Sequence, residues 1–225
     1  MAREYAVIPE ENWLIPSEAF TFEGFQRWVE SDGFPETGRI DFLAGQVESE
    51  MSPEDLHTHS VVKTAIGLVL GTLIYETGLG DVYVDSTRLT SKPAGLSVEP
   101  DLFVVLRETL EAGRASFVRS SRGRPSRVEG ISDLVVEIVS DSSVKKDNQR
   151  LPRLYARAGV PELWLVDCRW DAVRFEIRTL EDDRYVLQQP EVDGWTRSPL
   201  LNRSLRLIRW SEPPFPWRYR LEQRA

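Results

Sequence analysis

The chain is poor in the residues that make covalent or metal staples. One cysteine, Cys168, among 225 residues excludes an intrachain disulfide, and a reducing, cytoplasmic setting is the expected location. The only histidines, His57 and His59, are two positions apart. They do not share a helical face, which argues against a two-histidine zinc site. No run reaches the roughly 18 consecutive apolar residues of a membrane span. The longest, Val61 to Tyr75, is broken by Lys63, Thr64 and Thr72, so no membrane partner is expected. The polar mixture from Met1 to Pro16 does not read as a secretory leader. No Gly-Lys-Ser/Thr phosphate loop and no glycine cluster after a strand is present, which sets aside those nucleotide-binding classes. Positive charge is also short, with 28 basic against 36 acidic residues and a net charge of -8. That balance counts against indiscriminate nucleic-acid binding but not against a local basic patch. Arg114, Arg119, Arg122, Arg124 and Arg127 form such a patch, with no acid among them. They read either as a solvated loop or as a phosphate-contacting one, with Arg119, Arg122 and Arg124 the candidates for touching nucleic acid.

What is present is an ordinary globular balance, 41% apolar and 28% charged, at a length that builds a core without staples. Thr21 reads as an N-cap for a helix over 21–31, with Phe22, Phe25, Trp28 and Val29 at helical spacing. Arg39 to Glu50 reads as an antiparallel hairpin turning at Ala44 and Gly45. Ser52 to Asp55 predicts a helix start with Ser52 at the cap. That helix runs towards Tyr75, with Leu56, His59, Lys63 and Ile66 on one side and Val62, Ile66, Val69 and Leu73 as an apolar stripe. Val98 to Leu106 and Leu134 to Val139 read as buried strands. Leu151, Leu154, Tyr155 and Ala158 face inward from the next helix, which Gly159 ends before a strand from Leu163 to Asp167. Strand, helix and strand make a parallel crossover. Further strands follow, and the proline-rich stretch Glu212 to Trp217 reads as extended. The prediction is a single α/β domain over 1–225, with a core at about 37–168 and a β-rich extension at 170–217.

Two acids stand out. Asp101 follows Pro100 at the head of a buried strand, and Glu137 sits inside the apolar run Leu134 to Val139. A buried carboxylate is costly unless it is paired, hydrogen-bonded or bound to a cation. Taken together, two carboxylates on neighbouring strands suit a divalent cation that prefers oxygen ligands.

Glu99, Pro100 and Asp101 followed by Glu137 resemble the PD-(D/E)XK nuclease superfamily. The hairpin Arg39 to Gly45, Met51 to Pro53 with His59, Val135 to Ser140, Asp147, and Tyr155 to Asp167 resemble the Uma-two family of restriction-endonuclease-like proteins. The resemblance spans about Thr21 to Asp167. It implies a restriction-endonuclease-like mixed central sheet flanked by helices, Mg²⁺ or Mn²⁺ held by Asp101 and Glu137, and phosphodiester cleavage in DNA. The lysine two residues after the glutamate is Val139 here, and the helical position that supplies it in the family is Leu151. Lys145 and Lys146 are the neighbouring candidates for its role. Asp41 is either a third metal ligand or a partner of Arg39. His59 is either a phosphate donor, an orienting group or a packing residue. The alternative activity is that of a degenerate fold binding nucleic acid or a protein partner. The aromatic residues Trp170, Phe175, Trp195, Trp210, Phe215 and Trp217 predict a homodimer built partly from the C-terminal third, as two clefts on one duplex would require.

Overall fold

The computed structural model describes residues 5–8, 13–120 and 123–225. Strands β1 (Tyr5–Ile8) and β2 (Trp13–Pro16) pair antiparallel ahead of helix α1 (Phe22–Val29). The Thr21 hydroxyl accepts the Gly24 N–H at 3.1 Å, the cap that the sequence predicts. A first six-stranded sheet, in order β4-β3-β7-β6-β10-β9, is made by β3 (Arg39–Leu43), β4 (Gln46–Glu50), β6 (Arg88–Ser91), β7 (Leu96–Val98), β9 (Ala115–Arg119) and β10 (Pro125–Gly130). A second, in order β14-β13-β12-β11-β8-β5, is made by β5 (Gly80–Val84), β8 (Leu102–Leu106), β11 (Leu134–Ile138), β12 (Glu162–Asp167), β13 (Arg174–Glu181) and β14 (Arg184–Leu187). The helices are α2 (Val61–Thr77), α3 (Arg107–Glu111) and α4 (Leu151–Ala158), and α4 is the crossover that makes β11 and β12 parallel. A three-stranded antiparallel sheet, β15 (Thr196–Ser198), β16 (Arg203–Glu212) and β17 (Phe215–Arg224), completes the chain.

Strand alternation sorts the core of the second sheet. Leu134, Val136 and Ile138 face α2, where Val62, Ile66, Leu70 and Ile74 meet them. Val135 faces the other way, with Leu151 and Tyr155 of α4. Glu137, two residues from Val135, therefore belongs to the α4 side. Leu205, Leu207, Tyr219 and Leu221 bring the inner face of the C-terminal sheet onto the α2 layer. Burying side chains of this size stabilises the fold by about 1.5–3 kcal/mol each. Glu162 pins the extension down: it is buried, yet it accepts bonds from Trp164 Nε1 at 2.7 Å and Ser198 Oγ at 2.6 Å. It is a structural acid whose lone pairs are spoken for.

Several sequence expectations are corrected. The helix preceding α2 starts at Leu56, a π-helical turn over Leu56–Ser60, because Asp55 and not Ser52 caps it, accepting the N–H groups of His57 and Thr58 at 2.9 and 2.7 Å. The buried stripe of α2 is Val62, Ile66, Leu70 and Ile74, while Val69 and Leu73 are half-buried and Leu56 is exposed. By length and composition alone Leu56–Thr77 is apolar enough to cross a bilayer, and in this fold its buried stripe packs against the second sheet. Val98 to Leu106 is two strands in different sheets, because Pro100 lacks the N–H that would continue a ladder. The segment from Arg114 to Arg127 is largely a hairpin, not a loop: Ala115 pairs with Gly130 and Phe117 with Val128. The chain reverses after Glu212 and returns as the ten-residue β17, so the proline-rich stretch is a turn and a strand start. Of the aromatic residues read as an interface, Trp195 is buried and Phe175 packs edge-on against Trp164, whereas Trp170 and Phe215 are exposed.

Candidate active site

Asp101 lies in the link between β7 and β8, where the chain passes from one sheet to the other. Its Oδ2 accepts the Ile138 N–H at 2.7 Å, which fixes the carboxylate against the end of β11. Arg39 and Asp41 are two apart on β3 and share a face. The Arg39 guanidinium is the hub: Nε is 3.5 Å from Asp41 Oδ2, Nη1 is 3.5 Å from Asp101 Oδ1 and Nη2 is 3.6 Å from Glu137 Oε2. The structure thus brings Asp41, Asp101 and Glu137 together around one cation. These separations exceed good hydrogen-bond geometry. Accordingly Arg39 Nε and Nη2 are buried without a hydrogen-bond partner.

The N-terminal end of the α2 segment supplies a second group. His59 Nε2 is 3.4 Å from Asp101 Oδ2, and His59 Nδ1 is 3.2 Å from Glu54 Oε2. One turn on, Lys63 is buried with Nζ 2.6 Å from Glu54, 2.5 Å from Asp85 and 3.6 Å from Asp101. On the hairpin side, Lys146 Nζ lies 3.1 Å from Glu50 and 3.4 Å from Asp41. Lys145 is exposed and is not brought to these acids among the described residues. Val139 and Leu151 are both fully buried, so neither apolar side chain leaves room for a lysine head in solvent. Leu151 packs with Tyr155 one turn later, and the Tyr155 hydroxyl donates to Glu137 Oε1 at 2.5 Å. Ser143 Oγ donates to Asp147, a further buried acid.

Burial and charge divide these acids. Burial pushes the Glu137 carboxyl up to about 8, against the pull of Arg39, and the Asp101 and Asp147 charges add to the rise. Burial likewise lifts Asp147 to about 7. Asp101 is buried too, but the His59 hydrogen bond and the charges of Arg39, His59 and Lys63 hold it well below the ordinary carboxylate range. Burial opposes the charge of Lys63, and Asp101, Asp85 and Glu54 more than restore it. Among the described residues, seven carboxyls (Asp41, Glu50, Glu54, Asp85, Asp101, Glu137 and Asp147) meet three permanent cations, Arg39, Lys63 and Lys146. Burial raises Glu137 and Asp147, and the shortage of positive charge among these groups adds to the rise.

A cleft of about 280 Å³ opens over the site, with Arg39, Glu54, His59, Ser140 and Asp147 on its walls. Asp101 and Glu137, at 2% and 1% exposure, lie behind Arg39. Arg119 and Arg124 are exposed and sit on or beside β9 and β10, at the far edge of the first sheet from β4. Three strand spacings separate β3 from β10, which is on the order of 15 Å. Arg122 lies outside the described residues.

Sequence reading missed Lys63, Glu54 and Tyr155 as members of the site. The signal for Lys63 was available: a lysine four residues after His59, on the same helical side, within an otherwise apolar helix. Glu54 reaches the site by a turn that no periodicity specifies.

A family model described as Uma2, "Putative restriction endonuclease", matches residues 22–207. No curated protein matches the chain. Among solved structures, the chain is similar to a protein of Anabaena variabilis described as a putative nuclease belonging to DUF820. The TM-score is 0.60 at 17% sequence identity, covering 81% of this chain and 90% of that one. That likeness bears out the mixed α/β, restriction-endonuclease-like fold, and the match over 22–207 means that this chain belongs to the Uma2 family of putative restriction endonucleases.

Proposed function

We propose that the protein is a metal-dependent endonuclease that hydrolyses phosphodiester bonds in DNA. The observation that carries the reading is the meeting of Asp41, Asp101 and Glu137 on the Arg39 guanidinium beneath a cleft. The residues fit a divalent cation. Seven carboxyls exceed the cations beside them, and Arg39 leaves two buried N–H groups unbonded, so the carboxylates are not committed to it. Ligand atoms of Glu54, His59 and Asp101 also lie within 4.8 Å of one another. Asp101 belongs to both groups and is the carboxylate most suited to hold Mg²⁺ or Mn²⁺, with Glu137 and Asp41 on one side. The histidine nitrogen on the other side favours Mn²⁺ over Mg²⁺.

A bound cation supplies an activated water and neutralises charge on the scissile phosphate. The chain's own residues do the rest. Asp101 is kept ionised and fixed by the Ile138 N–H, ready to ligate without a proton to lose. Tyr155 orients Glu137 by donating to one oxygen and leaving the other towards Arg39. Arg39, on the cleft wall, is placed to pair with a phosphate oxygen once the carboxylates have another cation. His59 lines the same opening and Lys146 a neighbouring recess that shares Glu50 and Ser142 with it, and both add positive charge for the phosphate. A second reading, a degenerate fold that binds nucleic acid without cutting it, is favoured by buried Val139 and Leu151 in the two lysine positions.

Nicking of supercoiled plasmid with Mg²⁺, Mn²⁺ or EDTA separates the two. Metal-dependent nicking that disappears in Asp101→Asn supports the endonuclease. Plasmid retained intact by wild-type protein with either metal overturns it in favour of the binding fold.

A further inference from the structure

Strands β11 and β12 are parallel neighbours with Ile138 opposite Val166, so the segments that follow them leave the same end of the second sheet side by side. Ser140 to Ser142 follow β11, and Cys168 to Trp170 follow β12. The carboxyl ends of parallel strands are where open α/β sheets place their ligands. The Arg169 guanidinium joins the two segments. It bonds Asp167 Oδ1 and Oδ2, each at 2.9 Å, and Asp141 Oδ1 at 3.0 Å. The backbone beyond it is held by Arg209, which donates to the carbonyls of Cys168 and Trp170 at 3.1 and 2.9 Å and to that of Asp171. On this fixed segment Trp170 is 69% exposed, with the Arg169 guanidinium carbon 5.7 Å from its ring. An indole this exposed adds little to the core, yet its backbone is held in place.

Arg169 and Trp170, with Asp55, Thr58 and Asp141, line an open recess of about 470 Å³. Ser52, Pro53, His59, Ser140 and Ser142 wall both this recess and the cleft over Asp101, so the two adjoin along a common wall. Their chemistry differs. Among the described residues the one permanent cation of the recess, Arg169, is already paired with Asp167 and Asp141, which leaves little to attract a phosphate. What the recess offers is an indole face, hydroxyl groups and carboxylate acceptors. The Asp141 side chain is 92% exposed and accepts Arg169 through Oδ1, and among the described residues no hydrogen bond reaches its Oδ2. An aromatic plane with a carboxylate beside it complements a base that carries an exocyclic amine.

We infer that the recess is a base subsite: Trp170 stacks an unpaired base of a nucleotide neighbouring the phosphate in the cleft, and Asp141 accepts a hydrogen bond from the exocyclic amine of that base. The indole reaches a base face only where the base has left its own stack, so the substrate is unpaired at this position. Cytosine presents an amine where thymine presents a carbonyl oxygen, which cannot donate to a carboxylate. The inference deepens the endonuclease reading and rests on it, by assigning the site a preference for an unpaired, amine-bearing base next to the cut.

The test is fluorescence anisotropy with the full chain, using labelled oligodeoxycytidine, oligothymidine and an abasic strand of the same length. It is run in EDTA and again in Ca²⁺, an oxygen-seeking ion that neutralises the acids of the cleft. A gel run afterwards checks that the strands are intact. Oligodeoxycytidine is expected to bind roughly 2- to 10-fold more tightly than oligothymidine, the effect of one net hydrogen bond, and the abasic strand least tightly. Trp170→Ala should weaken both base-bearing strands roughly 5- to 150-fold, the effect of losing one base stack, and Trp170→Phe should keep part of the affinity. Asp141→Ala should make the two strands bind alike. Thermal melts that match wild type show that these surface changes leave the fold intact. Wild-type affinity in Trp170→Ala overturns the inference, as does an abasic strand that binds as well as the others or the absence of measurable binding in both conditions. It is equally overturned by a cytosine preference that Asp141→Ala leaves unchanged, by a preference for thymine, or by a dimer in light scattering that Trp170→Ala dissociates while strand affinity stays the same. Base-dependent binding with plasmid left intact defeats the endonuclease reading alone. Plasmid nicking by wild type, with strand affinity unaltered in Trp170→Ala, defeats the base subsite alone.

Discussion

Arg39 Nη2 lies 3.6 Å from Glu137 Oε2, and this approach joins the hairpin of the first sheet to the centre of the second. Burial opposes the charge of Arg39, and the charges of Asp41 and Asp101 hold it firmly protonated, with Glu137 adding to them once it ionises. The guanidinium thus stands where a cation serving these acids would stand. Replacing it with alanine leaves buried carboxylates uncompensated, a change that costs about 3–5 kcal/mol for a buried pair. Arg39→Ala is therefore expected to melt well below wild type in EDTA. Mn²⁺ should raise its melting temperature more than it raises that of wild type, because the metal takes over the lost charge. Equal Mn²⁺ shifts in the two proteins would mean that the ion and Arg39 do not share a site.

The two central acids should respond differently to loss of charge. Asp101 is ionised and accepts the Ile138 N–H, whereas Glu137 holds its proton up to about pH 8. At pH 7 without metal, Glu137→Gln replaces one neutral group with another and should change stability by less than about 1 kcal/mol. Asp101→Asn removes the charge facing His59, Lys63 and Arg39 and should cost about 3 kcal/mol or more. Both should lower metal-dependent nicking at least about 100-fold if, as proposed, each ligates the cation. Urea denaturation of the two variants in EDTA, beside the nicking assay, checks the split.

The pH dependence of the metal-free protein follows from the same acids. Glu137 and Asp147 are raised to about 8 and about 7, above their values of 4.5 and 3.8. Over the interval between, the folded chain keeps protons that the unfolded chain has released, so stability falls as pH rises. Asp101, depressed, contributes stability throughout this range and loses it only in acid. From pH 6.5 to 8, Glu137 alone should remove about 1.5 kcal/mol, or about 3–6 °C for a domain of this size. Calorimetric melts in EDTA should show this fall, and it should shrink in Glu137→Gln. A melting temperature flat across the interval would show that these carboxyls are already ionised.

The residues of this chain disclose its sheet more readily than its site. Leu134 to Ile138 and Leu163 to Val166 are apolar at every position but one, and Gly159 ends the helix between them, so the parallel pair follows from sequence. Asp101 and Glu137 were visible for the same reason, as acids where apolar residues belong. Lys63 was less visible because it counted as an interruption of an apolar helix, not as a member of a polar cluster. Its partners, Glu54 and Asp85, come from turns 9 and 22 residues away in the chain. The role of Arg39 depends on two sheets meeting, and neither strand's pattern encodes that meeting. Trp210 and Arg218 face each other only after the chain turns at Pro213 and Pro214, and that stretch reads as extended.

The position of Lys63 bears on how this chain manages without a lysine at Val139 or Leu151. Those two side chains are fully buried among apolar neighbours, and Leu151→Lys would have to desolvate an ammonium beside Val135 and Tyr155. Lys63 already has its Nζ 3.6 Å from Asp101 Oδ1, held by Glu54 and Asp85. Lys146 is the other lysine near the acids, but its partners are Glu50 and Asp41, on the hairpin side. If Lys63 supplies the missing charge, Lys63→Met should lower metal-dependent nicking about 100-fold or more, with Lys63→Arg intermediate. Lys146→Met should have the smaller effect, and Leu151→Lys should destabilise the fold without raising activity. A merely structural Lys63 would lose melting temperature and activity in proportion, and Lys63→Arg would restore both alike. Nicking rates measured from pH 6 to 9, on variants first shown to be folded at the assay temperature, distinguish these outcomes. A Lys146→Met variant more damaged than Lys63→Met would move the role to the hairpin side of the cleft.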